Sequence, residues 1–467
     1  MHGYFAKGTL MDTYLTRFGG ETVALFGFGR SSLALLPSLL QAGACVSVRD
    51  CKECADRALV EEWQKRGVRF HFGDGWLRGL SEHLLCRSPA VRPDLPEIRE
   101  ALTRGAILSS EYELFAEATP ATLFCVTGSD GKTTTATLAA TLAKAALEES
   151  GRQVFLGGNI GVPLFSLLAQ MRACDVVIAE LSSFQLMGAP RPPARAVITN
   201  ISENHLNWHH GMEEYVAAKA RILGRGTHAI LNADNPYTAK IAHGRADKTL
   251  FSRTRSRAAL IAEFGGSDTI TLANGWIMAN ERPLLPLSDI RLAGAHNIEN
   301  YMAALGLILP LVSDPKPLSQ VARSFFGVAH RLQEVGVVRG VRYINSSIDS
   351  TPTRTAAALS ALGKATFLLC GGRGKGLSFA PLRTAIEGRV NVLVLFGECR
   401  KEIAAAAEGF GGRVICVPTL GEAIALAKEQ AQAGDTVLLS PACTSFDEFR
   451  DFEERGECFR RAVLDEK

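Results

Sequence analysis

Short apolar runs that stop at a glycine-bearing turn and resume as a helical stretch recur along this chain, most sharply at residues 122–147. Strand, turn and helix repeated in that order predict parallel sheets covered by helices, because parallel neighbours must be joined by a long crossover. Thr122 to Val126 reads as a buried strand, and Ala136 to Leu147 as an Ala/Leu-rich helix. Between them lies Val126-Thr127-Gly128-Ser129-Asp130-Gly131-Lys132-Thr133-Thr134-Thr135. Such a turn points backbone N–H groups at phosphate oxygens, and the helix N-terminus adds a favourable dipole. Lys132 can then neutralise terminal phosphates, and the Thr133 hydroxyl is placed to ligate magnesium. Val126 stands where the first glycine of the usual phosphate loop would be. Gly-Lys-Thr alone also occurs in ordinary loops; strand, both glycines and helix together favour nucleotide binding.

The length, 467 residues, predicts roughly three domains. Hydrophobic residues at 47% and charged residues at 21% give a soluble globular balance with ample core material. The 51 basic and 48 acidic side chains leave a net charge of only +3, and no Lys/Arg run is interleaved with aromatics, so no nucleic-acid partner is expected. Met1 to Gly20 lacks the apolar core of a signal peptide, and no apolar segment is long enough to span a bilayer, so no membrane insertion is expected. Eleven scattered cysteines fit buried thiols in a reducing compartment, which makes the cytoplasm the expected location. Cys51 and Cys54 form a CxxC without a second ligand pair at zinc-finger spacing, so a structural role is expected for them.

The fold class expected is α/β in three domains. Residues 1–110 form a Rossmann-like unit with strands at Thr22–Gly27, Ala44–Asp50 and Val68–Gly73. Residues 111–327 form a central P-loop unit with a mostly parallel sheet. Its strands are Leu123–Gly128, Val154–Gly158, Val176–Leu181 and Ala196–Ile201, followed by a β-rich stretch at Thr269–Leu287 and a closing helix near Asn297. Residues 328–467 form a second Rossmann-like unit with strands at Val341–Asn345, Ala365–Cys370, Val392–Gly397, Val414–Pro418 and Thr436–Ser440.

Other constellations could carry chemistry. Gly27-Phe28-Gly29-Arg30-Ser31-Ser32 follows a strand, and Asp50 ends the next, imitating a dinucleotide fingerprint in which Ser32 replaces the third glycine. A structural turn and a ligand site both remain open there. Glu180 ends a strand beside the P-loop strand, where a carboxylate can hold magnesium directly or through water. In Asn204-His205-Leu206-Asn207-Trp208-His209-His210, His205 is placed to face a phosphate or magnesium, and His209 and His210 read as loop residues. Lys219 lies in an amphipathic helix and by spacing alone is a surface lysine.

Taken jointly, these motifs resemble the Mur ligases, ATP-dependent amide-forming enzymes of peptidoglycan precursor assembly. The resemblance rests on Thr127–Thr134, Gly158-Asn159-Ile160-Gly161, Glu180–Leu186, Ala218–Ile222, Gly294–Asn300 and His330-Arg331. The C-terminal stretches Leu439–Asp447 and Asp451–Gly456 resemble the branch that adds glutamate to UDP-N-acetylmuramoyl-L-alanine. This implies an N-terminal unit for the UDP moiety, a central ATPase and a C-terminal unit for the amino acid. It implies that Gly128, Ser129, Asp130, Gly131, Lys132, Thr133 and Thr134 hold ATP, with Asn300 and Arg331 as further contacts. The resemblance further implies that Lys132, Glu180, His205 and Lys219 carry the catalysis, and that Thr133, Glu180, His205 and a carbamylated Lys219 hold two magnesium ions. It implies that Arg30, Ser31, Asp50, Ser88, Asn159, Ser182 and His205 face the UDP substrate, and Lys375, Ser445 and Phe452 the incoming glutamate. The small-molecule partners implied are UDP-N-acetylmuramoyl-L-alanine and D-glutamate, joined through an acyl phosphate by a monomeric enzyme.

The chain departs from the family pattern at several points. Asn204 and Asn207 flank His205 where the family usually has Asp. Ser346 replaces a common Asp, Ile348 a common Lys, and Arg373 stands where an acid often sits. L-glutamate or another amino acid as acceptor therefore stays open. A nicotinamide-dependent oxidoreductase on the Gly27 turn leaves Lys132 and Lys219 without a task, and a non-catalytic UDP-sugar sensor needs no metal pair.

Overall fold

A computed structural model describes residues 14–465 apart from 55, 189–190, 207, 267 and 293. Asn207 and the first thirteen residues of the N-terminal stretch considered above lie outside the described residues. Among the described residues three sheets follow one another along the chain.

The first holds β1 (Thr22–Phe26), β2 (Cys45–Asp50), β3 (Arg69–Phe72), β4 (Leu84–Cys86) and β5 (Ile107–Ser109) in the order β3-β2-β1-β4-β5, parallel throughout. The second holds β6 (Thr122–Thr127), β7 (Val154–Gly158), β8 (Val176–Glu180), β9 (Arg195–Ile198), β10 (His228–Asn232), β11 (Lys248–Ser252), β12 (Asp268–Ala273), β13 (Trp276–Ala279) and β14 (Arg282–Pro286). Its order is β14-β13-β12-β11-β10-β9-β6-β8-β7, parallel from β7 to β12 and antiparallel through the last two pairs. The third holds β15 (Gln333–Val338), β16 (Val341–Asn345), β17 (Ala365–Gly371), β18 (Val390–Phe396), β19 (Arg413–Cys416) and β20 (Thr436–Ala442), ordered β15-β16-β20-β17-β18-β19, with only β15–β16 antiparallel.

Strands with helices on both faces are buried on both faces, which is why β6 and β8 read as apolar runs rather than alternating ones. Five strands escape the sequence reading. β4 and β5 are three residues each, too short to show a period. β10 and β11 begin with His228 and Lys248; Lys248 is buried because Nζ donates to the Arg245 and Phe264 carbonyls (2.6 and 2.9 Å). β15 is an edge strand interrupted by Gly336.

Contacts divide the chain into two compact units, one ending at Phe325 and the other beginning at Phe326. The first two sheets fall in one unit because a continuous apolar core, including Leu25, Val48, Phe115, Phe165, Leu186 and Leu231, runs through both. Beneath the P-loop, the helix Lys132–Ala146 packs its Ala and Leu face against the helix Ala295–Ile308 within a second core. The small alanines allow close approach of the two helices. The second unit has a core on each face of its sheet.

Candidate active site

In an open parallel sheet, ligands sit beyond the carboxyl ends of the strands where the chain order switches direction. In the second sheet that place is the end of β6, with β8 on one side and β9 on the other. The P-loop leaves β6 there. Glu180 pairs in register with Val126, and Thr199 and Asn200 follow β9.

The two glycines are required by close packing. A Cβ on Gly128 (φ +154°) would collide with the Thr199 side chain, and one on Gly131 (φ +75°) with the Asn300 amide. The turn is fastened by its neighbours: Asn200 Oδ1 accepts from the Asp130 N–H (2.9 Å), and the Thr199 hydroxyl donates to the Asp130 carbonyl (2.6 Å). Ser129 Oγ donates to the Ser202 carbonyl (3.0 Å) and contacts the Tyr215 hydroxyl (2.9 Å). Lys132 Nζ donates to the carbonyls of Gly128 and Ser129 (2.9 and 2.8 Å), which holds the ammonium over the loop. Thr133 and Thr134 open the helix beside it. Asn300 bonds Thr135 Oγ1 (3.2 Å) and Asn297 (3.0 Å), closing the floor of a cavity lined by Asp130, Gly131, Asn200, His296 and Glu299.

Glu180 is 1% exposed. Its Oε1 accepts from the Asn159 amide (2.9 Å), while Oε2 is buried without a hydrogen-bond partner. A buried carboxylate oxygen with no donor is costly, and a cation is the partner that removes the cost. Lys219 is not the surface residue that its spacing suggests; it is 1% exposed, with Nζ donating to the Gly128 carbonyl (2.6 Å) over the Tyr215 ring. Burial, reinforced by the nearby Lys132 ammonium, lowers its pKa to about 6, so the amine is neutral at pH 7. His205 is exposed, has a left-handed backbone (φ +56°), and packs its ring 4.9 Å from that of Phe184. Its pKa is lowered by burial of the ring and then by Lys132 and Lys219. Among the described residues no group of three or more His, Cys, Asp or Glu side chains is placed to hold a metal.

His209 and His210 lie in the loop after His205 as expected, but they differ. His210 is exposed, whereas His209 is 2% exposed with both ring nitrogens bonded.

In the first sheet the switch lies between β1 and β4. Asp50 Oδ2 accepts from the Phe28 N–H (2.8 Å), and Ser88 lies against Gly27, where a Cβ would meet its side chain at 3.2 Å. Arg30 and Ser31 begin the following helix, and Arg30 donates to the Gly161 carbonyl (3.1 Å). That bond links the turn to the Gly158–Gly161 segment bearing Asn159. Ser182 completes the group; its N–H and hydroxyl both donate to Gln185 Oε1 (2.9 Å each). Arg87 and Arg92, which no motif marks, also reach across: Arg87 donates to the Phe184 carbonyl (2.6 Å) and Arg92 to Glu214 (3.0 Å).

In the second unit the loops after β16, β17 and β20 come from neighbouring strands. Lys375 Nζ donates to Ser350 Oγ (3.1 Å), Ser445 is buried, and Phe452 starts the last helix. Arg455 on that helix is fully buried. Its guanidinium donates to Ser347 Oγ and O (3.0 and 2.8 Å) and to the Cys443 carbonyl (3.2 Å), tying two of these loops together. Asp349, also buried, accepts from Ser440 Oγ (2.8 Å) and bonds Ser346, so an acid does stand beside the position where Ser346 departs from the pattern. Arg373 pairs with Glu398 (2.7 Å). Arg331 is exposed between two residues of positive φ.

The Mur ligase middle domain matches residues 126–308, and the glutamate ligase domain of Mur ligases matches residues 330–443. The chain belongs to the Mur ligase family. This Mur ligase is 39% identical to the UDP-N-acetylmuramoylalanine–D-glutamate ligase of Symbiobacterium thermophilum, over 95% of its own length and 98% of the relative's. It is 36% identical to the ligase of the same name from Acetivibrio thermocellus, over 97% and 98%. Its fold is that of the UDP-N-acetylmuramate–alanine ligase of Thermotoga maritima, with a TM-score of 0.54 at 18% identity over 96% of this chain and 100% of the other. UDP-N-acetylmuramoyl-L-alanyl-D-glutamate–2,6-diaminopimelate ligase gives a TM-score of 0.52 at 18% identity, over 96% and 93%.

Proposed function

We propose that this chain uses ATP to join D-glutamate to UDP-N-acetylmuramoyl-L-alanine, in the cytoplasm, as a step of peptidoglycan precursor synthesis. Support comes from relatives of that name aligned over nearly the whole chain. The observation that carries it is the convergence of Lys132, the unpartnered Glu180 Oε2 and the buried Lys219 amine at one loop.

A carboxylate is a poor acyl donor because oxide is a poor leaving group. Transfer of the γ-phosphoryl group converts it to an acyl phosphate, from which phosphate departs when the glutamate amine attacks. Lys132 and the amides of Gly128 to Thr134 neutralise and orient the phosphates. Asn300 and Arg331 are assigned to the nucleotide. Arg30, Ser31, Asp50, Ser88, Asn159, Ser182 and His205 are assigned to the UDP substrate, and Lys375, Ser445 and Phe452 to glutamate.

The donor set suits magnesium: Thr133, Glu180 and His205 offer oxygen and neutral nitrogen, and Glu180 has an oxygen to spare. Two magnesium ions, when bound, supply positive charge where phosphoryl oxygens become more negative. A neutral buried amine can add to carbon dioxide, forming an N–C bond and releasing one proton to solvent, and the resulting carbamate would make Lys219 an anionic oxygen ligand. That adds an anionic ligand beside Glu180, at a place where the described residues hold no group of three His, Cys, Asp or Glu side chains fit for a metal.

Ion pairing of Arg373 with Glu398 keeps a second reading, an acceptor other than D-glutamate, specific enough to test. Purified protein with ATP, magnesium and UDP-N-acetylmuramoyl-L-alanine is screened for phosphate release across amino acids and both glutamate enantiomers. The expected result is release with D-glutamate that is abolished by Lys132→Ala. No release with any acceptor sinks the reading, and release with another amino acid alone replaces D-glutamate.

A further inference from the structure

His209 sits where four segments meet. Its Nε2 contacts Ser183 Oγ at 2.9 Å, in the turn that carries Ser182. Its Nδ1 contacts Glu214 Oε2 at 3.3 Å, in the helix Met212–Ala220 that carries Lys219. The imidazole stacks on Phe184 with ring centres 5.6 Å apart and planes 13° apart. The Phe184 ring in turn lies 4.9 Å from that of His205. Glu214 is held from its other side by Arg92, whose Nη2 and Nη1 donate to its two oxygens (3.0 and 3.2 Å). Arg92 also pairs with Asp94 and donates to the Trp208 carbonyl (2.5 Å), while Trp208 Nε1 donates to the Ala90 carbonyl (3.2 Å). The fourth segment is therefore the loop after β4, which carries Ser88.

The acceptor chemistry sets the tautomer. A carboxylate only accepts, so Nδ1 carries the proton toward Glu214 and Nε2 accepts from the Ser183 hydroxyl. A histidine bonded at both nitrogens between a carboxylate and a serine resembles a nucleophile relay. Ser183 and His209 are each 2% exposed, however, so no substrate carbonyl can reach that hydroxyl. What the arrangement can do is fix angles: it locks Ser183, and with it the neighbouring Ser182, against the helix of Lys219 and the loop of His205.

We propose that His209, braced by Glu214 and Arg92, is a positioning residue that couples the UDP-substrate turn at Ser182 to the metal-side groups His205 and Lys219. The P-loop is reached from His209 only through an edge-on ring contact, Tyr215 lying 5.2 Å from the imidazole and its hydroxyl 2.9 Å from Ser129 Oγ. A variant that keeps a ring at 209 keeps that contact, so losing the two hydrogen bonds loosens the UDP substrate and magnesium together and leaves ATP alone. The inference rests on the ligase reading above.

The test uses the full chain with ATP, magnesium, UDP-N-acetylmuramoyl-L-alanine and D-glutamate. His209→Phe keeps the ring stack and removes both hydrogen bonds; Ser183→Ala removes one from the other side. Each raises the KM for the UDP substrate and the magnesium concentration for half-activation by about tenfold, the size seen when partners of metal-site residues are removed. The KM for ATP does not move. The double variant is no worse than His209→Phe alone, because the same bond is lost in both. Should His209→Phe not fold, Ser183→Ala carries the test, with Ser183→Thr restoring the hydroxyl and the wild-type constants. Unchanged constants, additive losses, or an equal rise in the KM for ATP overturn the coupling. An inactive wild type overturns the ligase reading itself, whereas an active wild type with indifferent variants overturns only this inference.

Discussion

At residue scale, two buried ionisable groups give opposite pH signatures. Lys219, at about pH 6 in the folded chain, is charged at neutral pH when unfolded and neutral when folded. The unfolded state therefore binds more protons, and this group's contribution to stability rises as pH climbs from about 6 towards 10. A Lys219→Ala variant is expected to lose nearly all phosphate release and to regain part of it with short-chain carboxylates, measured by coupled assay. Wild-type activity without any rescue agent argues against the carbamate. Glu111 is the reverse case. Burial raises its carboxyl to about 7 even though Oε1 accepts from the Phe165 N–H (2.8 Å), so the folded state holds the extra proton. Its contribution is fully present below the unfolded value and is lost as pH rises through about 7. Glu111→Gln keeps the acceptor and cannot ionise. Thermal melts are expected to show the variant more stable than wild type at pH 8, with the gap closing by pH 5.

At the scale of elements, the P-loop works because strand, turn and helix are each constrained from outside. Gly131 is left-handed and pressed against Asn300, so Gly131→Ala has to move that side chain or unwind the first turn of the helix. ATP binding by titration calorimetry is expected to weaken by at least about tenfold, a cost of about 1.4 kcal/mol. The helix behind the loop is anchored by residues such as Leu138, which is fully buried between the β-sheet and the helix Ala295–Ile308. Leu138→Ala is expected to destabilise the fold by roughly 2–5 kcal/mol in urea unfolding. Most of these elements are legible in the sequence. Short apolar runs, Leu123–Val126, Val176–Ala179 and Val437–Leu439, mark β6, β8 and β20 within a residue or two. The missed strands are those whose polar residues are buried only because a distant carbonyl satisfies them, as with Lys248, or which are too short to show a period, as with β4 and β5.

At the scale of the molecule, the residues from Phe326 onward have their own sheet and a core on each face. Expressed alone, that segment is expected to unfold cooperatively, with one transition by circular dichroism and by fluorescence. The first two sheets share one core instead, so residues 14–110 expressed alone are expected to lack a cooperative transition. Among the described residues no helix is long and apolar enough to cross a membrane.

Local order along the chain was enough for the α/β class, the phosphate loop, the strand-end Glu180 and the family, because each depends on residues close together whose spacing is set by backbone geometry. Burial and partnership depended on the tertiary structure. Lys219 reads as a surface lysine until the fold carries its helix under the P-loop and strips the amine of water. His209 reads as a loop residue until Ser183, Glu214 and Phe184 close around it. Arg92 gives no sign of its reach to the Lys219 helix, since Glu214, unlike its near neighbour Asp94, lies 122 positions further along the chain. A side chain's charge state and bonding follow from what surrounds it in space, and only packing brings those neighbours together.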